Sequence, residues 1–338
     1  VTEGVVPRSS EPAGRPQARG GRVEGGGQPH DLHDYHPAKV RLLPWTWTVQ
    51  RVDADTGSMA VPPDVVADVE FIVARRHDNG DDLWATPDRK LAKGGPFSTL
   101  GAARLLIELG VDTTDPLLVA ARELIWSAWR DDGRFRLAPT GAIYPCQTAH
   151  AASTLANLGC GADPRLATTL EHLLAIQFDD GGWRCNKFSY GHGPETDFSN
   201  PGPTLMALDA FRFTPREDTT PTHDRAVEFL LDHWVSRTPL GPCHYGIGTL
   251  FLQIGYPFSD YNLFYWVYVL SHYDRAKSDP RFAEALAMVK SKLVNGQIVP
   301  ERVHRGLARL QFCKPGVPSA LATLRYREIQ ANLAAPSP

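Results

Sequence analysis

One kind of turn recurs along most of this 338-residue chain at a nearly constant interval. The most complete copy runs from Gln177 to Trp183 and reads Gln-Phe-Asp-Asp-Gly-Gly-Trp. Successive turn glycines are separated by 53, 48, 60 and 55 residues (Gly80, Gly133, Gly181, Gly241 and Gly296). A period near 50 residues predicts a repeat protein, in which each unit buries its apolar face only against its neighbours.

Helix-start signals fall between these turns. Three aspartate–proline pairs combine a side-chain cap with a residue suited to the first helical turn (Asp115-Pro116, Asp163-Pro164 and Asp279-Pro280). With apolar residues at helical spacing, these signals predict five hairpins of two helices each and no strand. The predicted helices are 62–76 and 97–109, one from 116 and 145–159, one from 164 and 203–211, 222–235 and 260–273, and one from 280 and 315–332.

The two helices of each predicted hairpin differ in polarity. The second helices are apolar on all sides, as in 263–270, whereas the first helices carry charges on one side, as in 222–235. A helix that is apolar all round is buried, and a helix with one polar side is half exposed. We therefore expect an all-α fold, an α/α toroid of about five to six hairpins with the second helices as the inner ring. The sequence shows only five hairpins. Either residues 36–60 fill the remaining place in the ring, or the ring is open.

Composition predicts the domain organisation. Residues 1–35 are rich in glycine, proline and arginine and hold almost no large apolar side chains, which predicts a disordered leader. Residues 36–60 contain an apolar cluster and are predicted to be an N-terminal arm. The toroid is expected over 61–333, with a short tail at 334–338.

Charge and hydropathy limit the classes of partner. The 35 basic and 38 acidic residues give a net charge of −3, so we expect no nucleic-acid surface. No apolar run approaches the ~20 residues of a membrane helix, and the start lacks the apolar core of a secretory signal, so we expect a cytoplasmic protein with no integral membrane segment. The five cysteines then predict thiols or metal ligands rather than a disulfide framework. Nothing in the sequence fixes the oligomeric state.

The repeated turn resembles a known motif. The stretch Gln177 to Trp183, with weaker copies at 131–135 and 78–84, resembles the Q-W repeat of the prenyltransferase and squalene-cyclase superfamily, over about residues 62 to 330. The resemblance implies an α/α toroid whose central cavity takes an isoprenoid or similar apolar substrate. It also implies that Gln177 and Trp183 knit the outer helices together, and we place Trp183 among the candidate substrate-binding residues as well.

Three catalytic motifs of that superfamily are absent. The squalene-type D-x-D-D has its nearest counterpart in Asp53-Ala-Asp55-Thr56, upstream of the repeats. The D-x-C pair through which protein prenyltransferases bind zinc does not occur, and Asp179-Asp180 is followed by Gly-Gly-Trp rather than by the D-D-x-x-D pattern of terpene synthases. The resemblance therefore implies the fold without its known catalytic groups.

The cysteines point to one end of the predicted ring. Cys146 opens an inner helix, Cys185 and Cys243 lie in connectors from outer to inner helices, and Cys313 precedes the last inner helix. Thiolate and imidazole are ligands that zinc prefers. The pattern predicts a zinc site at the cavity mouth with Cys185, Cys243 and His244 as first ligands and Cys146 as a further one. The alternative is that these are free cysteines packed as small apolar residues.

This ligand set has a second resemblance. Trp183-Arg-Cys185, followed by Cys243-His244-Tyr-Gly246, is similar to the zinc pattern of lanthionine cyclases, which are also α/α barrels. The resemblance implies a proton-transfer role for an upstream histidine, for which His150 is the candidate. The inserted Arg184 and Tyr245 depart from the tighter strings of that family.

Two acids and an aromatic stripe complete the candidates. Asp197 precedes the third inner helix and Asp260 begins the fourth. A carboxylic acid that faces an apolar cavity has a raised pKa and can donate a proton to a substrate, whereas the alternative is that both acids only cap helices. Four aromatic rings on one helix face are candidates for stabilising carbocations, or for ordinary core packing (Tyr261, Phe264, Tyr265 and Tyr268).

These features predict one main function and two alternatives. The main prediction is a terpenoid-cyclase-like or prenyltransferase-like enzyme that binds an isoprenoid in the cavity. The alternatives are a zinc-dependent enzyme similar to lanthionine cyclases, and a non-enzymatic scaffold that binds lipids or partners. A buried acid or a metal in a wide cavity would favour an enzyme, and a centre filled by side chains would favour a scaffold.

Overall fold

The computed structural model describes Leu32, Tyr35, His36, Arg41, residues 63–214 and residues 220–335. Helices dominate this part of the chain, in agreement with the predicted all-α class. Among its helices, none has the length and apolar character needed to cross a membrane. Most of the predicted leader and arm, and the last three residues of the predicted tail, lie outside the described residues.

The helices follow the predicted order of hairpins. The first helices of the five hairpins are α1 (Pro63–Ala74), α3 (Pro116–Trp126), α5 (Pro164–Ala175), α7 (Thr220–Ser236) and α10 (Pro280–Lys290). The second helices are α2 (Thr99–Glu108), α4 (Pro145–Leu155), α6 (Pro201–Phe211), α8 (Leu263–Leu270) and α11 (Ala320–Ala334). A short helix that was not predicted, α9 (Asp274–Lys277), lies between α8 and α10.

Aspartate–proline pairs begin three of the first helices, as predicted. Asp115, Asp163 and Asp279 each accept a hydrogen bond from the backbone N–H two residues further on, at 2.9 Å in every case. The proline that follows each aspartate has no backbone N–H. This loses no hydrogen bond, because an N–H at the first helical position has no partner within the helix. The three cap predictions are therefore confirmed.

Two second helices begin three or more residues later than predicted. Helix α8 begins after Asn262 rather than at Asp260, because the Asn262 side chain accepts two backbone N–H groups of the first turn, at 3.0 and 3.1 Å. Helix α11 begins after Ser319 rather than at Pro315, and the Ser319 hydroxyl accepts the backbone N–H three residues further on at 3.1 Å. A polar cap decides where a helix starts, so the apolar pattern alone placed both starts too early.

Four two-residue strands correct the prediction that the chain has none. Strand β1 (Gly255–Tyr256) pairs in parallel with β4 (Arg302–Val303), and β2 (Leu293–Val294) pairs antiparallel with β3 (Gln297–Ile298). A strand of two residues has no period that a sequence pattern could reveal. The β1–β4 pair joins the connector before α8 to the segment before α11.

The turn glycines adopt the backbone conformation for which glycine is suited. All five have positive φ, from +72° to +99° (Gly80, Gly133, Gly181, Gly241 and Gly296). Residues with a Cβ rarely adopt this region. The spacing of these glycines therefore marks real turns of the repeat.

The second helices contact one another in series. Helix α2 contacts α4, α4 contacts α6, α6 contacts α8, and α8 contacts α11, while α3, α5, α7 and α10 each pack on the second helix of the preceding hairpin. All eight residues of α8 are buried, as predicted for a second helix. The first and last hairpins also meet, since the Asp68 carboxylate of α1 accepts the backbone N–H groups of Gln311 and Phe312 at 2.8 Å.

Asp115 also accepts hydrogen bonds from two of the described residues that precede α1. The Tyr35 hydroxyl donates to its Oδ1 at 2.7 Å, and the backbone N–H of Arg41 donates to its Oδ2 at 2.8 Å. Leu32 is buried in the main core. Leu32 and Tyr35 therefore pack against the described helices.

Candidate functional site

A cavity of about 560 Å³ opens beside the first turns of α4 and α6. Its volume lies within the range of roughly 300–1,000 Å³ that is typical of small-molecule sites. The described residues that line it are mostly apolar or aromatic, with thiols, imidazoles and two cations among them (Ala92, Leu137, Cys146, Gln147, His150, Cys185, Lys187, Phe188, Tyr190, Pro203, Met206, Cys243, His244, Tyr245, Gly246, Leu250, Phe251, Tyr261 and Arg302). Three of the four cysteines expected at the mouth are therefore present, whereas Cys313 lies buried elsewhere.

Local structure brings the three thiols together. Cys146 is the second residue of α4, directly after the proline that begins the helix. Cys185 lies in the connector between the Q-W-like turn and α6, where its backbone N–H donates to Asn200 Oδ1 at 2.6 Å. Cys243 lies in the connector before α8, and its thiol donates to the backbone carbonyl of Cys185 at 3.2 Å. Three separate segments therefore meet at one point of the cavity wall.

The closest contact in this cluster joins two sulfurs. Cys146 Sγ and Cys185 Sγ lie 2.8 Å apart. The adjacent Cys146 thiol lowers the pKa of Cys185 to about 6, and the same interaction raises the pKa of Cys146. Burial raises the pKa of Cys243. The pair therefore holds one readily formed thiolate, stabilised by a neighbouring thiol.

Two histidines complete the polar part of the lining. His150 lies one turn after Cys146, and desolvation together with the positive charge of Arg104 lowers its pKa to about 4. It is therefore neutral at pH 7 and can accept a proton or bind a metal. His244 is exposed, has a φ of +58°, and places Nε2 4.0 Å from Glu195 Oε1.

The four predicted zinc ligands all line this cavity, but their side chains do not form a ready metal site. Within the part of the chain that the structure describes, no group of three or more histidine, cysteine, aspartate or glutamate side chains is arranged to hold a metal ion. Two sulfurs bound to one tetrahedral zinc at 2.3 Å would lie roughly 3.8 Å apart. The sulfurs of Cys146 and Cys185, at 2.8 Å, would have to separate to share an ion.

The predicted substrate-binding aromatics are divided between the cavity and the core. Tyr261 lines the cavity, where its ring contacts Tyr245 and Phe251 with centroid distances of 5.2 and 4.8 Å. Phe264 and Tyr265 are buried in the core and do not line the cavity.

Tyr268 and Trp183 are also turned away from the cavity. The guanidinium groups of Arg212 and Arg325 lie 5.2 and 5.3 Å from the Tyr268 ring, so its face already binds the chain's own cations. Trp183 is fully buried and its indole N–H donates to the Leu173 carbonyl at 2.8 Å. Both residues have structural partners rather than a place in the lining.

The two candidate acids lie outside the cavity lining. The Asp197 side chain is 82% exposed and lies 3.9 Å from Arg184. Asp260 precedes α8 without capping it, and desolvation of its carboxyl raises its pKa, an effect that Arg302 opposes only in part. None of the described residues that line the cavity is an aspartate or a glutamate. The lining thus offers thiols and imidazoles rather than a carboxylic acid.

A layer of buried charges lies one helical turn deeper than His150 and Met206. Asp209 of α6 is fully buried and accepts hydrogen bonds from Arg104 Nη1 at 2.9 Å and Arg212 Nε at 2.7 Å. The Ser153 hydroxyl of α4 donates to the same carboxylate. A second, small cavity of about 10 Å³, roughly room for one water molecule, lies beside this layer. Arg104 and Arg212 both line it.

Sequence analysis missed this layer, although it had a signal. Arg104 and Asp209 are charged residues inside second helices that are largely apolar. Charged side chains are almost never fully buried unless they are paired. Each therefore predicted a partner on another second helix. The cavity residues Lys187 and Arg302 carried no such signal, because both lie in connectors.

No protein-family model matches the chain, and no curated protein matches it.

Proposed function

We propose that the chain is an α/α toroid of the Q-W repeat class whose thiol-lined cavity binds an isoprenoid or a similar apolar molecule. The serial contacts of α2, α4, α6, α8 and α11 support this arrangement, as does the contact between the first and last hairpins. Gln177 supports it as well, because its Nε2 donates to the carbonyls of Gly181 and Thr222 at 2.7 and 2.9 Å and so ties the end of α5 to the start of α7.

The observation that carries the proposal is the cavity itself. It combines apolar and aromatic walls with a few convergent polar groups, which is the usual composition of a small-molecule site. Because no described lining residue is a carboxylic acid, the cavity favours a prenyltransferase-like role over cyclisation started by an acid.

Binding of tritiated farnesol to the purified protein tests this proposal. Met206→Trp places a larger ring in the cavity and is expected to weaken binding at least tenfold, about 1.4 kcal/mol or more. Val294→Trp is the matched control, since Val294 is exposed on β2 and does not line the cavity. Absence of farnesol binding to the wild-type protein, or equal binding by both variants, would contradict the proposal and favour the scaffold.

A zinc enzyme of the kind suggested by the lanthionine cyclases is the second candidate. The observation in its favour is that Cys146, Cys185, Cys243 and His244 all line one cavity next to a neutral His150. A zinc ion held there would act as a Lewis acid or activate a thiol. To share one zinc ion, the sulfurs of Cys146 and Cys185 would have to move from 2.8 Å to roughly 3.8 Å apart.

Elemental analysis of protein purified without a histidine tag tests the zinc proposal. This second candidate predicts about one zinc ion per chain, retained in Cys160→Ala and lost in Cys185→Ala and Cys243→Ala, because each of these two variants removes a first-choice ligand. Cys160 is a suitable control because it is buried in the turn after α4, away from the cavity lining. Wild-type protein that contains no zinc, or equal loss in the control, would rule out this site.

A further inference from the structure

We propose that Cys146 and Cys185 are a reversible redox pair, which forms a disulfide in the cavity wall when a hydroperoxide enters the cavity. The two sulfurs lie 2.8 Å apart, and the S–S bond length is about 2.05 Å, so a shift of about 0.8 Å joins them. Two sulfurs bound to one zinc ion would lie farther apart, at roughly 3.8 Å. The inference concerns the thiols alone and does not depend on which apolar ligand the cavity binds.

The cavity gives the oxidant a path to Cys146, which is partly exposed, whereas Cys185 is buried beside it. A small peroxide that enters therefore meets Cys146 first, and Cys185 is the sulfur placed to attack the oxidised product. Both are free cysteines in the described structure. Cys146 lies at the second position of α4 and Cys185 lies in a connector, so the two are held by different segments. A bridge would thus tie the first turn of α4 to the segment before α6.

The other three cysteines are placed less well for this reaction. Cys243 directs its thiol to the carbonyls of Cys185 and Phe188, at 3.2 and 3.9 Å. Cys160 and Cys313 are buried and do not line the cavity. The geometry therefore singles out one pair among the five thiols.

The reaction balances with hydrogen peroxide as the oxidant. One sulfur attacks a peroxide oxygen as a thiolate, the O–O bond breaks, and the departing hydroxide takes a proton to become water. The sulfenic acid that results is attacked by the second sulfur, which forms the S–S bond and releases a second water. Two thiols and one hydrogen peroxide give one disulfide and two waters. A dithiol reductant reverses the change.

Oxidation of the protein as purified, followed by mass spectrometry, tests the pair. After hydrogen peroxide treatment we expect most chains to lose the mass of two hydrogens, and digestion to yield a peptide that links Cys146 to Cys185. Cys243→Ala is expected to form the same bridge, and dithiothreitol is expected to restore the original mass. Cys146→Ala is expected to form no bridge and instead to leave Cys185 open to dimedone, which traps sulfenic acid.

Three results would overturn the proposal. They are an unchanged mass in the wild-type protein, a bridge that includes Cys243, and oxidation of the three thiols to separate sulfonic acids. Because the readout is a linked peptide, failure here is distinct from failure of farnesol binding. A destabilised Cys146→Ala does not affect the outcome, since the wild-type protein and Cys243→Ala decide it.

Discussion

Replacing Asp209 with alanine is expected to lower the free energy of unfolding by about 3–5 kcal/mol, because it leaves two buried guanidinium groups without their counter-charge. Asp209 is fully buried and receives hydrogen bonds from Arg104 and Arg212. Urea unfolding followed by circular dichroism measures the change. The matched control is Asp132→Ala, because Asp132 forms its ion pair with Arg134 at the exposed surface. A surface ion pair contributes about 0–1 kcal/mol, so the control is expected to change little.

The effect of Asp209 is also expected to depend on pH. Burial alone would raise the pKa of this carboxyl, but Arg104 and Arg212 hold it well below its usual range. A group whose folded-state pKa is depressed stabilises the fold above its unfolded-state pKa of about 4, and this contribution is lost as the pH falls below that value. The difference between wild type and Asp209→Ala should therefore be constant near neutral pH and decrease in acid. Equal stability of Asp209→Ala and Asp132→Ala at pH 7 would refute the argument.

Gly181→Ala is expected to cost about 2–5 kcal/mol of unfolding free energy. Gly181 has a φ of +92°, a conformation that costs a residue with a Cβ roughly 1–2 kcal/mol. A Cβ there would also lie 2.5 Å from the Arg225 carbonyl oxygen, and relieving such crowding costs a further 1–3 kcal/mol or so. The contact is with backbone at the start of α7, so no side chain can move away to relieve it.

Gly296→Ala separates the two contributions. Gly296 has a similar φ of +76°, but a Cβ at this position would meet nothing within 4 Å. We therefore expect only the conformational cost of about 1–2 kcal/mol, measured by the same urea unfolding. Equal losses in the two variants would show that the approach of α7 to the Gly181 turn does not matter.

The sequence predicted part of the candidate site. Cys146 opens a second helix, and Cys185 and Cys243 lie in connectors that lead to second helices, so the prediction that they meet at one end was possible without coordinates. The same argument placed Cys313 with them, but its connector follows the β1–β4 pair and its side chain is buried elsewhere. The position of a residue within its hairpin predicts the end of the fold at which it lies. It does not predict the direction in which its side chain points.

The acids show a similar limit. Asp197 and Asp260 precede second helices in sequence, which suggested that they face the cavity. Asp197 instead points to solvent, and Asn262 rather than Asp260 caps α8. The direction of a side chain near a helix start depends on the path of the connector before it. An irregular connector has no repeating sequence pattern from which that path could be predicted.

By itself, the sequence determined the local elements of this protein. A proline after an aspartate begins a helix, a glycine with positive φ turns the chain, and an all-apolar helix is buried, because each depends on neighbours within a few residues. The tertiary structure decided which groups meet. Asp209 and Arg104 are 105 positions apart, and Cys146 and Cys185 are 39 apart. Such pairs form only when separate hairpins pack together. A buried charge needs a partner, because the interior has a low dielectric constant, but no local pattern specifies which residue that partner is.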